Sequence, residues 1–148
     1  MKKLADDLAL RILDGSPEAI LICDRSGIVQ YWNAAAERVF GFDRTETLGA
    51  SMDLIIPDRF RARHWAGWEG TMRTGTSRYG EGQLLAVPAV HKDGRQLSIE
   101  FSIQLIKDAE GQIDSVVAII RDVTERFMRD KALRSQLRAL EGNTAGPR

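Results

Sequence analysis

The sequence predicts an α+β domain, a five-stranded antiparallel sheet with short helices gathered on one face and a flanking helix at each end. Three observations carry this. Apolar, strand-like runs fall in two blocks, residues 19–32 and 84–121, separated by a helical stretch. Within each block the runs are joined by short glycine-bearing turns, which make hairpins and therefore antiparallel neighbours. The 148 residues suit one domain, and no internal repeat divides them.

The first helix is read over residues 1–14. Leu4, Ala5, Leu8, Ala9, Ile12 and Leu13 form an apolar stripe, and Lys3, Asp6, Asp7, Arg11 and Asp14 form the opposite face. Such a stripe suits packing on its own domain and packing on a partner equally. Gly15-Ser16-Pro17 stops the helix. Two strands follow, Ala19–Cys23 and Ile28–Trp32, around the turn Asp24-Arg25-Ser26-Gly27. Cys23 ends an apolar strand and reads as a buried, inert thiol.

The middle, residues 33–75, reads as broken helix. Asn33 is placed to cap Ala34–Phe40, and Gly41 ends that helix. Thr45–Gly49 reads as a short turn. Pro57 opens a longer helix over 58–74. In the last third, residues 84–90 and 97–106 flank the turn His91-Lys92-Asp93-Gly94-Arg95. Pro88 demotes its strand to an edge or a bulge, and His91 is expected in solvent. Ile113–Arg121 has a continuous apolar centre, Val116–Ile120, as a central strand requires. A charged helix over 123–141 and a disordered tail over 142–148 complete the chain, with Thr124 as the expected N-cap.

Composition excludes several classes. Lys+Arg is 21 and Asp+Glu is 21, so the chain lacks the basic footprint of a nucleic-acid binder. One cysteine allows neither an internal disulfide nor a multi-cysteine metal site. No apolar run reaches the ~20 residues of a membrane helix. Asp6 and Asp7 stand where a signal peptide needs an apolar core, so a cytoplasmic location without membrane contact is expected. Residues 70–76 lack the Gly-Lys-Ser/Thr of a phosphate loop. Two histidines, with no paired carboxylates on apolar segments, offer no catalytic constellation, and an enzyme is not expected.

Three stretches, in order, resemble the PAS domain, a sensory module of bacterial signalling proteins. Residues 24–42 resemble the family's first hairpin and helix. His91-Lys92-Asp93-Gly94-Arg95 is similar to its second hairpin turn. Arg121-Asp122-Val123-Thr124-Glu125-Arg126 is similar to the signature that joins the last strand to an output helix. The resemblance implies a core over 15–122 whose inner sheet face and helices enclose a ligand pocket. It also implies a signal junction at Asp122 and Thr124, a homodimer through the flanking helices, and a separate downstream signalling protein, as in two-component systems.

The candidate site lies on the 58–74 helix. Phe60, His64, Trp68 and Met72 recur every four residues and share one face. A neutral imidazole among apolar side chains suits an axial ligand of haem iron, and it equally suits a core histidine with a satisfied hydrogen bond. Arg59, Arg61, Arg63, Arg73 and Arg78 surround the stretch and are placed to meet propionates or to solvate the helix.

Pro57-Asp58-Arg59-Phe60-Arg61-Ala62-Arg63-His64 is similar to the proximal-histidine segment of oxygen-sensing haem PAS domains. Likewise Tyr79-Gly80-Glu81-Gly82-Gln83 resembles their strand start. That resemblance implies haem b at His64, sensing a gas or a redox state. Phe60, Trp68, Met72, Gln83, Leu84, Leu85, Ile99 and Phe101 would then line the cofactor. Those relatives carry a distal arginine where this chain has Gln83 or Leu84. Light-sensing flavin PAS domains need a helical cysteine, and none lies between Asn33 and Gly75, which removes adduct chemistry but not passive flavin binding. The alternatives are a cofactor-free interaction module and a sensor of an organic small molecule.

Overall fold

The computed structural model describes residues 2–77 and 84–144, with side chains over 5–77 and 84–142. The elements are α1 (Lys2–Gly15), β1 (Ala19–Asp24), β2 (Val29–Trp32), α2 (Ala34–Phe40), α3 (Arg44–Thr47), the 3₁₀ helix η1 (Met52–Ile55), α4 (Asp58–Thr74), β3 (Leu85–Val90), β4 (Gln96–Lys107), β5 (Ile113–Asp122) and α5 (Thr124–Thr144). The expected class holds. One antiparallel sheet runs β2-β1-β5-β4-β3, with its core under the helices.

β5 is the middle strand, as its apolar centre requires. β3 lies at an edge, where the missing N–H of Pro88 leaves no second neighbour unsatisfied. Ala19 pairs with Ile120, Leu21 with Ala118, Phe101 with Ile120, and Leu85 with Phe101. Period two therefore puts Leu21, Ala118, Ile120, Phe101 and Leu85 on one face. That face packs with Trp32, Ala35, Ala36, Phe40, Ile55 and Ile56 into a single core. The opposite face exposes Ile106 and Ile119.

Ile28 does not extend β2 but bridges Ser51. Val29 donates to the Ala50 carbonyl and Gly49 donates to the Val29 carbonyl, both at 2.9 Å. The segment before η1 thus covers an edge strand that would otherwise offer free backbone groups. The short turn expected near 45–49 is a capped helix. Asp43 accepts from the Glu46 N–H while the Glu46 side chain accepts from the Asp43 N–H.

Asn33 caps α2 as expected, and it does more. Its Oδ1 accepts from Ile20 N and Ala36 N, both at 2.9 Å. Its Nδ2 donates to the Leu13 carbonyl at 2.9 Å and the Glu18 carbonyl at 3.0 Å. This buried amide thus uses all four of its hydrogen-bonding positions and ties the end of α1 to β1 and α2. Asp14 adds a second tie, meeting the Tyr31 hydroxyl at 3.0 Å and the Arg44 guanidinium.

Both flanking helices stay outside the core. In the α1 stripe Leu8 and Ile12 are left uncovered by the domain, at 52% and 62% exposure, while Leu13 is half-buried. α5 continues past Glu141 to Thr144, so the first part of the expected tail is helical; residues 145–148 lie outside the described residues. Thr124 is not the N-cap of α5. The first helical bond, Phe127 N to the Val123 carbonyl at 2.8 Å, makes Val123 the cap, and the Thr124 hydroxyl turns back to β4. Among the described residues no helix is long and apolar enough to cross a membrane.

Candidate functional site

α4 begins after Pro57 and ends at Gly75 in the left-handed region, φ 74°, so its span matches the sequence expectation. None of its residues is fully buried, because the helix lies on the core as a lid with one face in water. Phe60 and Trp68 pack against the core, as do Phe101 and Ile103 of β4. Ile99 is buried, and Leu85 is half-buried opposite Phe101. The structure therefore brings Phe60, Trp68, Leu85, Ile99 and Phe101 to the inner side.

Leu84 is corrected. It precedes β3 and is 62% exposed, so it lines nothing. Met72 is not among the residues that pack against the core. One helical turn beyond Trp68, it lines a solvent-open groove of about 580 Å³ with Arg25, Ser26, Trp65, Trp68, Glu69 and Arg73. Gln83, Arg78 and the rest of the 79–83 stretch lie outside the described residues.

His64 is half-buried between two indoles. Its ring centroid lies 4.6 Å from that of Trp65, edge-on at 81°, and 5.9 Å from that of Trp68. The buried Nδ1 has no hydrogen-bond partner. Burial pushes the imidazole pKa below its usual 6.5, and Asp53 opposes that shift without reversing it. The ring is therefore held neutral, the form that ligates metals. A core histidine normally has its buried nitrogens satisfied; His64 Nδ1 is not.

Both indoles are pinned elsewhere. Trp65 Nε1 donates to Asp53 Oδ1 at 2.7 Å, and Trp68 Nε1 donates to the Arg25 carbonyl at 2.9 Å. Arg25 in turn donates to the Ile113 carbonyl at 3.2 Å, where β5 begins. Asp53 sits in no motif, and Arg25 was legible only as a residue of the first hairpin turn, so neither was assigned to the site from sequence. The glycine at 27 was legible as a turn residue. Its contact was not, yet a Cβ there would fall 2.2 Å from the Trp65 ring.

The arginine cluster divides by task. Arg61 donates to the Ile56 and Asp53 carbonyls, both at 3.1 Å, and so closes η1. Arg59 stacks on Phe60, 4.8 Å from the ring centroid. Arg63 and Arg73 are exposed. His91 is not the solvated turn residue that the sequence suggests. Its side chain is only 15% exposed, accepts from Asp93 N at 3.1 Å, and lies over Gly41, where it fills the space a Cβ would need. Cys23 is fully buried, and burial pushes its thiol up to about 12. It therefore supplies no nucleophile.

At the junction, Asp122 Oδ1 accepts from Thr124 N at 3.0 Å and meets its hydroxyl, while Ser98 N donates to that hydroxyl at 3.0 Å. The Arg126 guanidinium meets Glu100 on β4. The start of α5 is therefore fastened to the sheet strand that carries Ile99 and Phe101.

This sheet order, with α4 laid over the inner face, defines a small α+β module of the kind built around a covered sheet face. A family model described as the PAS fold matches residues 13–127, and the chain belongs to that family. The sensor protein FixL of Bradyrhizobium diazoefficiens is 29% identical over 77% of this chain and 22% of its own length. The oxygen sensor protein DosP of Escherichia coli is 24% identical over 93% of this chain and 17% of its own length. This chain thus spans less than a quarter of either relative. A PAS domain from Colwellia psychrerythraea superposes with a TM-score of 0.70 at 18% identity, covering 82% of this chain and 98% of that one. An RNA-binding light-oxygen-voltage receptor superposes at 0.72 with 21% identity, covering 99% of this chain and 40% of that one. Both likenesses concern the fold alone.

Proposed function

We propose that this PAS domain is a sensor that holds haem b through His64 and passes the ligand state to a partner through its flanking helices. One observation carries the reading. His64 is a neutral, half-buried imidazole whose buried nitrogen lacks a hydrogen-bond partner, on the helix face that carries Phe60 and Trp68. An unpaired buried nitrogen is a cost that ligation would remove.

The residues present fit the group. Among the described residues no three His, Cys, Asp or Glu side chains converge on a metal, so an iron here needs a group that brings its own ligands. Phe60, Trp68, Leu85, Ile99 and Phe101 would provide the apolar contact, and exposed Arg63 and Arg73 are available to carboxylates. When bound, haem supplies an iron that responds to gases or redox state. The chain's own part is to hold His64, exclude water with the inner sheet face, and carry displacement of that face to Asp122 and Thr124. The relatives named as a sensor protein and an oxygen sensor protein support the same reading.

In this reading residues 15–122 are the sensing core, 1–14 a dimerising helix and 123–141 an output helix. The uncovered stripe of Leu8 and Ile12 favours a homodimer. The domain has no catalytic role of its own, works in the cytoplasm, and reports to a downstream signalling protein.

An absorption spectrum tests this. Wild-type protein titrated with haemin is expected to give a stoichiometric Soret band that His64→Ala loses. No band in wild type overturns the haem reading and leaves an organic ligand or a cofactor-free interaction module.

A further inference from the structure

Neighbouring residues on a helix point about 100° apart and do not face each other. The rings of His64 and Trp65 nevertheless sit 4.6 Å apart, edge to face. Something therefore draws the Trp65 indole sideways. Two features on other elements do so. Asp53 of η1 accepts its N–H at 2.7 Å, and Gly27 in the β1–β2 turn leaves the space that its six-membered ring fills. On the other side Trp68, 5.5 Å from Trp65, is held by the Arg25 carbonyl. The imidazole stands in the angle between two indoles that cannot swing away.

We propose that Asp53 and Trp65 are positioning residues for His64, fixing its ring plane for ligation before any ligand arrives. This rests on the haem reading above. Neither residue touches the cofactor in this scheme. Asp53 reaches the ring plane through Trp65, while its charge also acts on the imidazole across space, and its carboxylate is otherwise 3.9 Å from Arg61, which binds the Ile56 and Asp53 carbonyls and Asp58. A ring fixed in advance loses less freedom on binding, so the pair contributes affinity without contact.

The test uses the whole chain with ring-labelled histidine, in wild type, D53N, D53A and W65F, with and without haemin. H64A assigns the His64 signals against those of His91. Without haemin, wild-type His64 ring protons are expected to be displaced upfield by the two indoles. D53N keeps an oxygen acceptor and retains that displacement. D53A and W65F lose it. With haemin, D53A and W65F bind about 10–100-fold more weakly, and D53N binds as wild type does.

Unchanged His64 signals in D53A and W65F overturn the positioning role, and so does unchanged haemin affinity in those variants. If D53A does not fold, W65F against wild type decides. A wild type without a Soret band overturns the haem reading and with it the purpose of the positioning, while the haemin-free spectra still report whether Asp53 and Trp65 fix the ring.

Discussion

Ser98 of β4 donates its backbone N–H to the hydroxyl of Thr124 at 3.0 Å, so the first residue of α5 is fastened to the middle of the domain and not only to its own helix. Asp122 orients that hydroxyl from the other side. Two residues with ordinary helix-start chemistry thereby become a clasp between strand and helix.

Thr124→Val keeps the shape of the side chain and removes the clasp. The Ser98 N–H is then half-buried without its acceptor, which costs about 1–3 kcal/mol. Urea unfolding is expected to show that loss. Amide exchange is expected to speed up at the start of α5 and at Ser98 together. Exchange that rises in α5 alone would show that the helix is not coupled to β4.

Asn33→Ala is expected to be far more damaging than any surface change. It strips acceptors from the Ile20 and Ala36 N–H groups, both buried, and donors from two carbonyls. Each buried orphan costs about 1–3 kcal/mol, so a loss of about 3 kcal/mol or more is expected in urea unfolding. Arg121→Ala breaks the exposed pair with Glu18 and is expected to cost less than about 1 kcal/mol.

Gly41 has φ 80°, and a Cβ there would fall 2.5 Å from His91 Cε1. Gly41→Ala is expected to destabilise by about 1–3 kcal/mol through strain and clash. Adding His91→Ala removes the clash and leaves the left-handed penalty of about 1–2 kcal/mol. A double-mutant cycle in urea separates the two, and strict additivity would show that His91 does not lie over the glycine.

Cys23 gives the pH dependence. Its thiol titrates near 9.0 when unfolded and at about 12 when folded, because burial disfavours the thiolate. Above pH 9.0 the unfolded chain releases a proton that the folded chain keeps. This contribution to stability is therefore complete below 9.0 and is lost as pH rises towards 12. Cys23→Ala is expected to flatten the fall in urea midpoint over that window. Iodoacetamide is expected to leave native wild type unmodified and to label it once unfolded.

The sheet was legible because its signals are local. Alternation, the glycine turns, Pro88 at an edge and the apolar centre of β5 each depend on a few adjacent residues, and α4 was bounded by Pro57 and Gly75. What escaped was long-range. Asp53 meets Trp65 across 12 positions, and Trp68 meets the Arg25 carbonyl across 43. No spacing rule marks either contact. His91 reads as a solvated turn residue until the fold sets it on Gly41. Leu84 reads as strand until β3 begins one residue later. Within the site, helical period found the face that holds His64, and only the three-dimensional packing showed that Met72 does not reach the core as Phe60 and Trp68 do.

Ala19, where β1 starts, lies opposite Ile120, near the end of β5. The core is thus entered and left at one point, like a loop of cord gathered at its knot. A host chain could carry such a module without rerouting its own backbone. A twist arising in the sheet would reach the incoming and outgoing helices at the same place, and a neighbouring unit would receive it as a change of angle between two rods that share a root.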